Sequence, residues 1–445
     1  MEIKIKKGAD LPIAGAVVQN DAPLPVRSRY VAVVPDDFEG LVLKTDVHPG
    51  DAVRTGTPLM HSKQNPAVKI VSPSDGIVAE VVRGERRKVL RIVIDTEGDA
   101  SEAPAVTTDT NAGVAMRLAA SGLLALVRQR PYDIVPDPEV APRDIFVTAF
   151  DSAPLAPSWQ FGDSDTSLFE AAVAMLLDVT KGNVYIARRN SAQMPDIKGA
   201  VMVDVKGPHP AGLTGVQVAN IRPVNKGETV WTMDAYVLLK IGRLAKGLPI
   251  EWEFPVAVTG SCLAKPYIAL CLAGTAIREL TAPAGLTEEA RDHHRRYISG
   301  NVLTGIAVGE DGFLRRPYTQ VTVIPEGDDC DEFMGWASLS PKLMSLSPSF
   351  PGRWAKRLFK PDARIRGGRR AMIMSGLYEN LFPMDIMPEY LLKAIQSGNI
   401  DDMEKLGIYE VAPEDFALAE YADSSKLPLQ AMVRKGLDLM RKETE

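Results

Sequence analysis

The chain has 445 residues, 45% of them hydrophobic and 24% charged, which is long and apolar enough for several cores and predicts about three domains. A balance of 51 basic against 57 acidic side chains argues against a polyanion-binding surface, and so against nucleic acid as a partner. Three scattered cysteines, Cys262, Cys271 and Cys330, exclude a disulfide framework or a zinc site and suit a reducing, cytoplasmic compartment.

In chain order, Met1-Glu2-Ile3-Lys4-Ile5-Lys6-Lys7-Gly8 carries no apolar core of signal-peptide length. No run of about eighteen apolar residues follows that could span a bilayer, so membrane attachment is expected through partners. Residues 1–37 include Gly8-Ala9-Asp10-Leu11-Pro12-Ile13-Ala14-Gly15, a Gly/Pro-punctuated apolar segment expected to lie against other domains. Residues 38–98 alternate short β-prone runs with Pro-Gly and Asp-Gly turns, which predicts a small all-β sandwich. The phrases Pro49-Gly50-Asp51 through Leu59 and Ser72-Pro73 through Val78 resemble the biotinyl/lipoyl-like barrel-sandwich module. The stretch His61-Ser62-Lys63-Gln64 lacks the flanks of a carrier lysine, so the module is expected to be a platform. A polar connector from Asp99 to Ala112 marks a boundary.

Residues 111–254 open with a helical pattern from Asn111 through Val114, Leu118, Leu123 and Val127, closed by Arg128-Gln129-Arg130-Pro131-Tyr132. Arg128 and Arg130 either complement the helix dipole or, with Tyr132, face an anionic or carbonyl-bearing ligand. Apolar strands at Ile145–Phe150, Val184–Ala187 and Ala200–Val205, with a helical run from Ser167 to Leu177, predict a parallel, Rossmann-like α/β layer. After Phe150 the chain reads Asp151-Ser152-Ala153-Pro154-Leu155-Ala156-Pro157, with no glycine to cradle a phosphate, so NAD(P)H or FMN is not expected in the usual mode. In Gly207-Pro208-His209-Pro210-Ala211-Gly212, His209 is restricted between prolines; it is either structural or a hydrogen-bond partner for quinone, with no second metal ligand at suitable spacing.

Residues 255–330 carry short strands around a charged helix predicted over Thr287 to Ile298, with His293 and His294 solvated and too divergent to chelate one metal. The layout is similar to the β-grasp (SLBB-like) domain beside Rossmann-like layers in complex I flavoprotein subunits; Cys262 and Cys271 are expected to be buried. Residues 331–445 are Met-rich with helical periods. A basic stretch (Arg353, Lys356, Arg357, Lys360, Arg364, Arg366, Arg369, Arg370) interleaves with Phe350, Trp354 and Phe359, and is expected either to lie on anionic headgroups or a membrane-embedded partner, or to be a solvated loop. From Pro413 to Lys426 the chain resembles the cluster-binding segment of Rnf-type C subunits without its cysteines: Pro413, Phe416, Ala419 and Asp423 stand in the four ligand positions. Phe382-Pro383-Met384-Asp385-Ile386-Met387-Pro388 repeats this as a C-P-x-x-I-x-P pattern with phenylalanine for cysteine. No iron–sulfur cluster is expected.

The order of parts, in an α+β and α/β multidomain chain, is a barrel-sandwich module, a Rossmann-like layer without a glycine loop, a β-grasp domain and a helical, cluster-less ferredoxin-like region. With Leu11-Pro12-Ile13-Ala14-Gly15, Arg130-Pro131-Tyr132, Phe146-Val147-Thr148-Ala149 and Gly207-Pro208-His209-Pro210, it resembles the A-subunit family of the Na⁺-translocating NADH:quinone oxidoreductase, the respiratory sodium pump. That resemblance implies a peripheral protein on the cytoplasmic face of the bacterial inner membrane. It would belong to a six-subunit complex, beside a membrane-embedded flavin-carrying subunit. It also implies no FMN or cluster in this chain, no metal, quinone as the substrate of the complex, and a sodium path in membrane-spanning partners. Arg128, Arg130, Tyr132 and His209 are the candidate quinone-binding residues. The competing readings are a structural assembly subunit without a ligand and an independent NADH-oxidising flavoprotein.

Overall fold

A computed structural model describes residues 1–18, 22–103, 112–329, 343–346 and 357–444. The first strands are β1 (Glu2–Lys4), β2 (Leu24–Pro25), β3 (Tyr30–Val33), β4 (Leu43–Thr45), β5 (Ala52–Val53), β6 (Pro58–Ser62), β7 (Lys69–Val71), β8 (Gly76–Arg83) and β9 (Val89–Asp95). Two small sheets, ordered β3-β9-β8-β5 and β4-β6-β7, face each other across Val53, Leu59, Ile70, Val78 and Ile92, as the alternating apolar positions require. A 3-10 turn over Pro35–Asp37 follows β3 and buries Asp37.

Next come α1 (Val114–Ala120), β10 (Arg128–Arg130), β11 (Ile145–Thr148), α2 (Asp163–Leu177), β12 (Val184–Arg188), β13 (Val201–Lys206), α3 (Thr214–Ile221), β14 (Val230–Asp234) and α4 (Ala235–Ala245). Their sheet runs β1-β13-β12-β11-β14-β10, parallel except where β10 meets β14. It is covered on both faces, as a parallel sheet must be. α2 and α4 supply Phe169, Val173, Leu238 and Ile241 on one side, and the C-terminal helices supply Leu391, Phe416 and Leu437 on the other.

The helix expected up to Val127 is shorter. It stops at Ala120 because Gly122 takes the left-handed region (φ 79), where an added Cβ would sit 2.7 Å from Val71. Arg128 and Arg130 therefore do not cap a helix; they lie on β10, paired with Thr232 and Val230 of β14.

The second large sheet is built from β15 (Glu253–Thr259), β16 (Tyr267–Leu272), α5 (Ile277–Thr281), α6 (Glu288–Arg291), β17 (Arg295–Ser299), β18 (Ile306–Ala307) and β19 (Gln320–Pro325). Its order is β18-β17-β19-β15-β16-β2, with β15 parallel to β19 at the centre and a core of Val256, Val258, Ile277, Val321 and Val323. The charged helix expected over Thr287 to Ile298 is corrected: it ends at Arg291, and Arg295–Ser299 pairs instead with β19, burying Tyr297 and Ile298. His293 and His294 lie in the turn between, beside Asp329 and Asp328. Cys262 and Cys271 are buried, as expected; Cys330, Phe350, Arg353, Trp354 and Lys356 lie outside the described residues.

The chain ends in α7 (Pro388–Ser397), α8 (Ile400–Lys405), α9 (Ala417–Ala422) and α10 (Leu429–Thr444). Pro413–Phe416 is a 3-10 turn entering α9, and Phe416, Ala419 and Asp423 are all buried. In the basic stretch, Arg364 and Arg366 pair with Asp362 and Lys360 pairs with Glu289, so several of these charges are used within the chain.

Candidate functional site

In the parallel sheet β11 and β14 are neighbours, although β12 and β13 come between them in the chain. The crossover after β11 runs through α2 on one face, and the crossover into β14 runs through α3 on the other. A crevice opens at such a switch point, outside the carboxyl ends of the strands. Here it is a cavity of about 420 Å³. Thr148, Ala149, Phe150 and Asp151 line it from the end of β11, and Thr232, Met233, Asp234 and Tyr236 from the end of β14. The 3-10 turn of the N-terminal module adds Asp36 and Asp37; the second sheet adds Asn301, Arg316, Tyr318 and Gln320; the C-terminal region adds Pro413, Glu414 and Arg434.

One wall is aromatic. Trp159 and Phe161 each meet the Tyr236 ring, with centroids 5.5 Å and 5.2 Å apart. Another carries a polar cluster centred on Asp37. Its Oδ1 accepts from Arg315 Nε at 2.6 Å, its Oδ2 from the Arg316 backbone N–H at 3.1 Å, and its carbonyl oxygen from Arg128 Nη2 at 2.9 Å. Desolvation raises the Asp37 carboxyl and Arg315 opposes the rise. Asp234 caps α4 by accepting from the Val237 N–H at 2.8 Å, and burial likewise raises its carboxyl. Gln320 is buried and donates through Nε2 to Pro154, Thr259 and Thr322, which leaves Oε1 without a partner. Arg128 Nη1 is also without a partner, so an aromatic wall is combined with one unused donor and one unused acceptor, which suits a flat ring carrying oxygens.

Of the four residues singled out in the sequence, Arg128 lines this cavity. Arg130 lies one layer behind, 1% exposed, donating to Asp415 Oδ2 at 3.0 Å and to Glu414 Oε1 at 3.1 Å, and so holding Glu414 at the cavity wall. Desolvation raises both carboxyls against the pull of Arg130. Tyr132 packs edge-on against Tyr409, and its hydroxyl is 2.9 Å from Thr444 Oγ1. His209 is buried with Nδ1 3.1 Å from Ser152 Oγ and its backbone N–H on Asp10, while Nε2 has no partner. Burial lowers its imidazole to about 4. Neither Tyr132 nor His209 is among the lining residues. Sequence reading missed Asp37, Arg316, Tyr318 and Gln320. One signal was present: Arg316-Pro317-Tyr318 repeats the phrase Arg130-Pro131-Tyr132.

The family model of the NqrA N-terminal barrel-sandwich hybrid domain matches residues 3–97, and that of the NqrA second alpha/beta domain matches residues 109–247. The A subunit of the Na(+)-translocating NADH-quinone reductase of Pasteurella multocida is 32% identical, over 99% of this chain and 100% of its own length. The A subunits of Neisseria meningitidis serogroup B and of Hahella chejuensis are each 34% identical, with the same coverage of both chains. The chain belongs to the NqrA family. It is therefore a subunit of an NADH-quinone reductase, a multi-subunit oxidoreductase complex, and its N-terminal half is the barrel-sandwich domain followed by the second α/β domain of that family. No helix among the described residues is long and apolar enough to cross a membrane. The one group among them with metal-ligand spacing, His294, Asp328 and Asp329, is exposed on the surface, and none of the three lines the NqrA cavity.

Proposed function

We propose that the cavity at the β11–β14 switch point receives the quinone that the complex reduces. The observation carrying this reading is its composition: a cavity of about 420 Å³ with an aromatic wall, lined at its polar side by Arg128 and Arg316. Apolar walls with a few convergent polar groups bind a neutral ring and orient its carbonyl oxygens. Arg130 acts through Glu414, and Tyr132 and His209 fix the loops behind the wall.

In this reading the α/β layer is Rossmann-like and the second sheet a β-grasp, SLBB-like domain, with the chain divided at residues 1–37, 38–98, 111–254, 255–330 and 331–445. The protein is peripheral, on the cytoplasmic face of the membrane, in a six-subunit assembly beside a membrane-embedded flavin-carrying partner. It carries neither FMN nor cluster: Pro154 and Pro157 follow β11 where a phosphate cradle needs glycine, and Phe416 and Ala419 stand where thiolates would. Electrons reach the quinone from other subunits, and their passage drives Na⁺ export there.

The test is binding of a short-chain quinone to the purified full chain, followed by tryptophan fluorescence. Trp159 lines the slot, so saturable quenching is expected, and Thr214→Phe, which fills the cavity from the first turn of α3, should abolish it. No quenching, or quenching unchanged in Thr214→Phe, rejects the reading in favour of a structural subunit without its own ligand.

A further inference from the structure

Two arginines line the cavity, and each carries guanidinium N–H groups that nothing among the described residues uses. Arg128 gives Nη2 to the Asp37 carbonyl, which leaves Nη1 buried and without a partner. The Arg316 guanidinium lies 5.8 Å and 5.9 Å over the rings of Trp252 and Phe254. Among the described residues it has no ion pair, because the neighbouring Arg315 takes the Asp37 carboxylate at 2.6 Å. Asp234, the other carboxylate acting on Arg316, is committed to the Val237 N–H. Burial lowers the Arg316 guanidinium to about 10, which leaves it charged at neutral pH.

Arg316 is half-buried, with the Asp37 and Asp234 carboxylates near it but no ion pair among the described residues, and such a charge is stabilised further when negative charge arrives beside it. The surroundings select what kind of charge. Aromatic rings and the carboxylates of Asp37, Asp234 and Glu414 share the cavity, which disfavours a permanently multi-charged anion such as phosphate. They tolerate a neutral ring whose oxygen becomes negative only during reaction, and donors waiting for that charge act on the transition state more than on the ground state.

We infer that Arg316, with Arg128, forms the electrostatic end of the quinone cavity, the two guanidinium groups donating to one quinone oxygen and stabilising the negative charge it gains as electrons arrive. This rests on the cavity being the quinone site. The quinone accepts two electrons, delivered from NADH through the complex, and two protons from solvent; both C=O groups become C–OH and NADH leaves as NAD⁺ with release of a proton. Arg316 exchanges no proton and forms no bond in this step.

The experiment measures quinone reduction by the assembled complex carrying Arg316→Met, Arg316→Lys or Arg128→Met, with NADH oxidation by an artificial acceptor as the check on assembly. Arg316→Met keeps the stacking length over Trp252 and removes the charge; kcat for quinone should fall about a hundredfold, with a smaller change in KM. Arg128→Met should fall in the same direction. Arg316→Lys, which keeps the charge, should recover part of the loss. Equal losses in the Met and Lys variants, or wild-type kcat in Arg316→Met, would overturn the inference. Thr214→Phe separates it from the reading beneath. Impaired quinone kinetics in Thr214→Phe with normal Arg316→Met removes the inference alone, whereas wild-type kinetics in Thr214→Phe removes both.

Discussion

The rings of Phe382 and Phe416 lie with centroids 4.8 Å apart and planes tilted by 49°, both almost fully buried. The resemblance drawn from the sequence places each where a cluster-binding pattern has cysteine. The two rings meet and fill this part of the core with hydrocarbon. Phe416 also belongs to the core that covers the parallel sheet, so the plug helps seat the helical region on the α/β layer. Phe416→Ala should lower stability by about 3–5 kcal/mol. Urea denaturation followed by hydrogen exchange of α9 and α10 checks this, and a loss under about 1 kcal/mol would show that the plug contributes little.

What could be read from the sequence was what is local. Pro-Gly and Asp-Gly turns and alternating runs mark the sandwich, and Ile145–Phe150, Val184–Ala187 and Ala200–Val205 read as strands from their own composition, within one or two residues of β11, β12 and β13. The failures have distant causes. Arg128–Arg130 became a strand because β14, about a hundred residues on, offered a free edge. Arg295–Ser299 left its helical pattern for the ladder with β19. The cavity was the least legible part, since the Asp37 carboxylate pairs with Arg315, 278 residues away in the chain, and leaves Arg316 without an ion pair among the described residues. No periodicity encodes such a relation. Arg128 was found through a motif, and the second Arg-Pro-Tyr phrase passed unread.

The ion pair between Arg130 and Asp415 is as buried as any in the described chain, with side chains 2% and 0% exposed. Gly215 of α3 packs directly on it: an added Cβ would sit 2.6 Å from Asp415 Oδ1 and 2.7 Å from Arg130 Nη1. Removing one partner strands a charge, so Arg130→Ala should cost about 3–5 kcal/mol, while an Arg130→Met/Asp415→Leu pair should recover most of it. Gly215→Ala should destabilise in the same direction by crowding the pair. Denaturant midpoints across these variants form the test. Equal losses in the single and double variants would mean that packing, not charge, dominates there.

His209 makes stability depend on pH. Burial lowers its imidazole to about 4 from an ordinary value of 6.5, the Asp10 charge opposing only in part. Between those values the unfolded chain binds a proton that the folded chain refuses. The contribution is therefore complete above pH 6.5 and is lost as pH falls toward 4, on the order of 3 kcal/mol in all. His209→Asn, which keeps a polar atom near Ser152 but cannot titrate, should flatten this part of the profile. The check is the urea midpoint at about pH 7 and about pH 4.5 in both proteins, either side of most of that window; parallel profiles would show that His209 is not the titrating group.

Asp37 joins three parts of the chain through three oxygens: Arg128 of the α/β layer on its carbonyl, and Arg315 and the Arg316 backbone from the second sheet on its carboxylate. Replacing it by alanine leaves the carbonyl contact but frees Arg315 and unpins Arg316. An Arg315 side chain only 19% exposed would then lack its anion, at a cost of about 3 kcal/mol. Because Arg316 is held by its backbone to Oδ2, the same change should disturb quinone reduction as well as stability. Asp37→Asn, which keeps an acceptor for one of the two donors, should rank between wild type and alanine on both measures. Thermal unfolding and quinone kinetics on the same preparations test the link. A variant that loses stability with unchanged quinone kinetics would show that Asp37 fastens domains without positioning Arg316.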